Sequence, residues 1–180
     1  MKVSRLVSIL LVLTFFGCSD DIQILEERIK TQAELNNTEI SSVEIKKTAL
    51  YLNAWSKKDF YEDAIAEFLE EDKLDFPREI EVLFTGSSSI RFWNSLEDDM
   101  QPLKVLNRGF GGAHIAHVNH HFEDVIQRYS PKAIVFFCVT NDLTALKTPE
   151  ETIQDFEILK EKVHQALPGV HLFVIGIKPS

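Results

Sequence analysis

The spacing of apolar residues changes character three times along the chain. Leu6 to Phe16 is a predominantly apolar run. Residues 19 to about 56 are polar and glycine-free, with Ile22, Leu25 and Ile29 at helical spacing and Ile40 and Val43 at another. From Asp59, "DFYEDAIAEFLEEDKL" sets Phe60, Ala64 and Phe68 on one stripe with Tyr61, Ile65 and Leu69 beside it, so it predicts an amphipathic helix with Asp59 as N-cap. Pro77 closes the connection.

Beyond Pro77 the pattern alternates between short apolar runs and longer amphipathic ones. "IEVLFT" (80–85) and "LKVLNRG" (103–109) predict strands. "AHIAHVNHHFEDVIQRY" (113–129) predicts a helix with Ile115, Val118, Phe122, Val125 and Ile126 on its apolar face, ended by Ser130-Pro131. "KAIVFFCV" (132–139) reads as a strand buried on both faces. "PEETIQDFEILKEKVHQAL" (149–167) predicts a helix with Pro149 in its first turn, and "HLFVIGI" (171–177) a fourth strand. Strands separated by helices require right-handed crossovers. The fold class is therefore α/β, a parallel sheet with helices on both faces, preceded by a helical tether.

Charge and cysteines narrow the function classes. The formal net charge of −9 argues against nucleic acid, whose phosphates call for a basic surface. Lys2 and Arg5 precede the apolar run and Gly17-Cys18 follow it, which is the form of a secretory signal over 1–17. Cys138 lies within an apolar strand and reads as a small core residue, so no intrachain disulfide is expected. The small residue before Cys18 resembles a bacterial lipobox. That resemblance implies cleavage before Cys18, lipidation of its sulfur and a membrane anchor for the polar tether 18–58. The acidic start "CSDD" resembles the export tags of some surface lipoproteins, so an outer-membrane, cell-surface or periplasmic lipoprotein is expected.

Candidate chemistry sits at the C-terminal ends of the predicted strands, where open α/β sheets bind ligands. Gly86-Ser87-Ser88-Ser89 follows the first strand, Gly111-Gly112 the second and Thr140-Asn141-Asp142 the third. The chain has seven glycines, and Gly86, Gly109, Gly111 and Gly112 are in the first two of these loops. Serine supplies a nucleophile, Gly112 a backbone donor and Asn141 an amide donor, the parts a tetrahedral acyl intermediate requires. Each piece alone is an ordinary turn; their placement at successive strand ends sets them apart.

"VLFTGSSSIRFW", "NRGFGGAHIAHVNHHF" and "KAIVFFCVTNDL" resemble, in order and spacing, the first three blocks of the SGNH (GDSL-type) hydrolases, in the branch with Gly-Ser-Ser-Ser-Ile-Arg-x-Trp. The likeness covers residues 59–180. It implies a three-layer flavodoxin-like fold, with Ser88 as nucleophile and the Ser88 N–H, the Gly112 N–H and the Asn141 amide as oxyanion hole. It implies ester substrates (lipid, small acyl or acetylated glycan) and no cofactor. Val139 stands where the family usually has glycine.

The family's base is the histidine of a late Asp-x-x-His block, which the chain lacks up to Ser180. The expected sheet order is thus 2-1-3-4, without the fifth strand and last helix, with 171–177 left as an edge paired only to 132–139. Among the histidines, His164 lies roughly 20 Å along its helix from the active edge, and His171 begins a strand at the far edge. His114 alone falls near the glycine loop. His114, His117 and His121 share one helix face, but zinc wants a further well-placed ligand, so no metal site is assigned. The competing readings are a catalytically dead surface lipoprotein and a metal-binding helix protein.

Overall fold

The computed structural model describes residues 17–177. The expected signal segment lies outside them except for Gly17, and the Cys18 side chain is likewise outside. The chain divides into two compact units, Met1–Asn53 and Ala54–Ser180.

The first unit contains α1 (Gly17–Leu35) and most of α2 (Ser42–Trp55). Ser41 starts α2 with a reciprocal cap: its hydroxyl accepts the Glu44 N–H at 3.2 Å, and its own N–H donates to the Glu44 carboxylate at 3.0 Å. The buried face is Ile29 of α1 with Ile45, Ala49 and Leu52 of α2. The expected stripe through Val43 is not the buried one. Ile45, Ala49 and Leu52 recur at i, i+4 and i+7, and Val43 falls on the outer face.

In the second unit, α3 (Glu62–Leu74) begins three residues later than Asp59, with Tyr61 at the N-cap position. Residues 57–62 are wound into tight turns instead, with Phe60 N–H on the Lys57 carbonyl and Glu62 N–H on that of Asp59. Four strands follow: β1 (Val82–Gly86), β2 (Val105–Gly109), β3 (Ala133–Phe137) and β4 (His171–Val174). All pairings are parallel and the order is β2-β1-β3-β4.

Side chains alternate across this sheet. Leu83, Ile134 and Phe136 enter the larger core, with Ile115, Val118 and Val125 below them. That face is covered by α3, α6 (Ile115–His120), α7 (Phe122–Val125) and α9 (Pro149–Ala166). Phe84 points the other way and packs with Ile90 and Leu96 of two four-residue helices, α4 (Ser88–Arg91) and α5 (Leu96–Asp99). α8 (Thr140–Thr144) follows β3. The arrangement is a three-layer α/β/α fold with one thick and one thin helical layer. β3 therefore departs from a strand buried on both faces: Ile134 and Phe136 are buried, whereas Val135 and Phe137 are only half-buried under the short helices.

The helix expected over 113–129 is broken into α6, α7 and a 3-10 turn (Gln127–Tyr129). Its apolar face is buried as expected. The break has a visible cause: α9 intrudes on the hydrogen-bond ladder. Lys162 donates to the Asn119 carbonyl at 2.8 Å, and the Asn119 amide donates to the Asp155 carbonyl at 2.8 Å.

The two sheet edges differ. Asn107 blunts β2, its amide donating to the Ile90 carbonyl at 2.7 Å and its side-chain oxygen accepting the Gly109 N–H at 2.9 Å. β4 pairs with β3 on one side, as expected, and no described residue pairs with its other side. Phe173 and Val174 of β4 are 58% and 48% exposed.

A buried charge knot ties α3 to β2. Asp72 accepts from the Arg108 guanidinium at 2.6 Å and from the Tyr129 hydroxyl at 2.6 Å, while Arg108 Nε donates to Tyr129 at 2.8 Å. Burial, and then the bond to Asp72, push the Tyr129 phenol up to about 12. Removing the carboxylate would leave the buried Arg108 guanidinium only the exposed Glu71 carboxylate, at 3.7 Å, as counter-charge. Asp72→Ala is expected to lower unfolding free energy by about 3–5 kcal/mol in urea denaturation; a loss below about 1 kcal/mol would show that water replaces the carboxylate at no cost.

Candidate active site

The register of the three inner strands puts three loops at one end of the sheet. Gly86 is level with Gly109 on one side and Phe137 on the other, and the chain leaves each strand just beyond these residues. Gly86 must be glycine. Its φ is +128°, and a Cβ there would meet the Phe137 carbonyl oxygen at 2.0 Å. This close approach also lets the Ser87 N–H donate to the Phe137 carbonyl at 2.9 Å, which locks the start of the serine turn to β3.

The three serines have different surroundings. Ser87 is buried (2% exposed), Ser88 at the first position of α4 is half-buried, and Ser89 is exposed. Gly112 sits at φ +75°, and its carbonyl accepts from the Trp55 indole at 3.0 Å. The Asn141 amide donates to the carbonyl of Ala113 at 2.9 Å, and the Cys138 thiol donates to the same oxygen at 3.0 Å. The Asn141 loop and the Gly112 loop are therefore bonded together. Val139, where the resemblance leads one to expect glycine, has φ −161°, an extended value open to any residue. The turn into Asn141 does not demand glycine.

A buried charge cluster underlies this contact. Asp142, fully buried, accepts from Lys147 at 2.9 Å and from the Ile115 N–H at 3.2 Å, and Lys147 also donates to Asp155 at 2.6 Å. Burial pushes the Asp142 carboxyl up, and Lys147 opposes the shift. Asp142 thus holds the start of α6 against the Asn141 loop. Sequence reading passed over Lys147 and Asp155, since their partners are remote in sequence or in a different element.

Among the described residues, no hydrogen bond joins a histidine to Ser88. His114 is fully buried between Trp55 (ring centroids 4.4 Å apart) and His117 (4.7 Å), and neither of its ring nitrogens has a partner. Burial first, then the neighbouring His117, push it down to about 3. His117 Nδ1 accepts the His114 backbone N–H at 2.9 Å, so Nε2 carries the proton and donates to the Lys57 carbonyl at 3.0 Å. Burial pushes His117 down to about 4, against the pull of the Lys57 carbonyl. His164 is near the C-terminal end of α9, and His171 opens β4 at the opposite edge of the sheet. Among the described residues, no group of three His, Cys, Asp or Glu side chains converges on a metal position.

A cavity of about 400 Å³ opens on the flank of β2, between α3 and α5, with Glu67, Glu71, Arg91, Trp93, Asn107 and Phe110 in its wall. Ser88, Gly112 and Asn141 are not part of that wall.

No family model and no curated protein matches this chain. Solved structures do. A Streptococcus pneumoniae protein named as a platelet activating factor is similar over 74% of this chain and 61% of its own, at 18% identity and a TM-score of 0.61. A GDSL-like lipase from Parabacteroides merdae is similar over 54% of this chain and 62% of its own, at 18% identity and a TM-score of 0.43. The fold is shared with the first of these. The chain spans about three fifths of that protein's length.

The buried histidines give the unit an acid-sensitive core. An unfolded histidine takes up a proton below about pH 6.5, whereas the folded unit refuses it until about pH 4 for His117 and about pH 3 for His114. Their contribution to stability is complete above pH 6.5 and falls as the pH drops, by about 1.4 kcal/mol per unit for each histidine. Asp142 acts with the opposite sign, since its folded carboxyl is raised. His114→Leu is expected to flatten the fall between pH 6.5 and 4 by one histidine's share, measured by urea denaturation at a series of pH values. An unchanged slope would mean that His114 titrates as it does in the unfolded chain.

Proposed function

We propose that the second unit is the acyl-transfer part of an SGNH-type ester hydrolase, with Ser88 as nucleophile and the Gly112 N–H and the Asn141 amide as oxyanion donors. The observation that carries this reading is the 2.9 Å bond from the Asn141 amide to the Ala113 carbonyl, at the strand end where α4 begins with Ser88. Three blocks that resemble the family's motifs in sequence thus occupy one end of one sheet. The likeness to the Streptococcus fold agrees with it.

In this mechanism Ser88 Oγ attacks the ester carbonyl carbon and gives its proton to a base. The carbonyl electrons move to the oxygen, where the Gly112 and Asn141 donors stabilise the charge. Collapse expels the alcohol with a proton and leaves an acyl-serine, which water attacks in the same way to free the acid. Substrates would be esters of lipids, small acyl compounds or acetylated glycans. Lipidation at Cys18 would hold the unit at an envelope surface, outside the cytoplasm.

The buried state of His114 and His117 favours a second reading. With neither imidazole able to take the Ser88 proton, the chain would bind esters and turn them over poorly or not at all, as a surface lipoprotein. Both readings keep the oxyanion site, so a probe that leaves a stable adduct separates this site from an unrelated turn. A fluorophosphonate should modify Ser88, with loss of fluoride, as read by mass spectrometry of the purified chain, and added imidazole should accelerate it. Ser88→Ala should abolish the adduct, and Asn141→Ala should slow it by about 10²–10³-fold. No adduct, or one indifferent to Asn141, would sink the reading.

A further inference from the structure

The Gly112 carbonyl is held by a residue outside the three motif blocks. Trp55 is the last residue of α2, and its indole N–H is shared between the Gly112 carbonyl at 3.0 Å and the Tyr61 hydroxyl at 2.9 Å. The Trp55 ring lies on His114, two residues beyond Gly112. Tyr61 meets the same loop from beside it, with ring centroids 5.4 Å from Phe110 and 4.9 Å from His117. Its hydroxyl oxygen is 2.4 Å from the place a Gly112 Cβ would occupy.

The next carbonyl is held from the opposite direction. Ala113 accepts from Cys138 and Asn141, both following β3. Two consecutive peptide groups are thus pinned by side chains from separate segments. Gly112 needs such restraint. At φ +75° it occupies a region that glycine enters and leaves freely, and it has no side chain to anchor it. A backbone donor contributes to an oxyanion hole only if its direction is set before the reaction.

We propose that Trp55 is a positioning residue for the oxyanion donor: its indole N–H and the Ala113 N–H bond to the Phe110 carbonyl (3.4 Å) hold the Gly112–Ala113 peptide, which limits the rotation at Gly112 that would re-aim the Gly112 N–H of the preceding peptide, while Tyr61 walls off the space beside it. This rests on the reading of Gly112 as an oxyanion donor. It extends the functional unit upstream of the motif blocks to the end of α2. Trp55 acts through Gly112 and touches no reacting atom. The hydrogen bond, rather than aromatic packing, is the operative contact.

Two conservative variants separate the bond from the packing. Trp55→Phe keeps a ring over His114 and deletes the N–H. Tyr61→Phe keeps its ring and leaves the indole free to bond Gly112 alone. Two measurements apply to both: ¹⁵N relaxation at the Gly112 amide, and the rate of Ser88 modification by the fluorophosphonate over a range of concentrations. In Trp55→Phe the Gly112 order parameter should fall from about 0.85 to below about 0.6. Ser88 modification should slow by about 10- to 100-fold at saturation, with the half-saturating concentration within about twofold of wild type. Tyr61→Phe should stay within about twofold on both measures. If Trp55→Phe fails to fold, 3-benzothienylalanine at position 55 keeps the bicyclic shape without the N–H and carries the same expectation. A Gly112 amide as rigid in these variants as in wild type would overturn the proposal, as would equal loosening by Tyr61→Phe. A wild-type chain left unmodified at Ser88 overturns the hydrolase reading instead, and Gly112 relaxation then still decides whether the indole holds the loop.

Discussion

The parallel register of β1 between β2 and β3 is the constraint on which the candidate site depends. Gly86 stands level with Gly109 and Phe137, and the 2.0 Å approach of the Phe137 carbonyl to its absent Cβ shows how closely the strands are drawn together there. With that alignment, three loops open at one end. A register slip of one residue would turn Leu83 and Ile134 out of the larger core, so the same burial that stabilises the sheet also aligns the loops.

Polar groups buried beneath the loops do the remaining alignment. The Asp142–Lys147–Asp155 cluster joins the Asn141 loop, the start of α6 and α9. The Asp72–Arg108–Tyr129 knot fixes α3 on β2, on the strand that leads into the glycine loop. Buried charges of this kind contribute little net stability over well-packed apolar groups, but breaking one partner costs much. They make the arrangement specific. His114 departs from this, a fully buried imidazole with both nitrogens unpartnered, and Asn119 Oδ1 and His121 Nε2 are likewise buried without a hydrogen-bond partner.

The sheet's thin face shapes what the sequence could convey. "KAIVFFCV" reads as a strand covered on both sides, because an unbroken apolar run carries no alternation to mark a less covered face. In the structure α4 and α5 cover that face with four residues each, Val135 and Phe137 stay half-exposed, and β4 keeps Phe173 and Val174 in contact with water. The break at His121 was likewise illegible, since it accompanies Lys162 reaching across to the Asn119 carbonyl from a helix that follows in sequence. The Ser41–Glu44 cap, by contrast, is written locally as Ser-x-x-Glu and needs no tertiary partner to be read.

Sequence by itself determined the element order, the parallel topology and the end of the sheet at which Ser88, Gly112 and Asn141 lie. Those follow from periodicity, from glycine and proline positions and from crossover handedness, all of which act over short stretches of chain. Tertiary structure decided which groups hold the loops and which can titrate. Trp55 reaches Gly112 across 57 positions. The Lys57 carbonyl accepts the hydrogen bond of the His117 Nε2–H across 60. His114, placed by sequence beside the glycine loop, is enclosed by Trp55 and His117 and loses its basicity. Hydrogen bonding and desolvation depend on neighbours in space, and a one-dimensional pattern does not contain those neighbours.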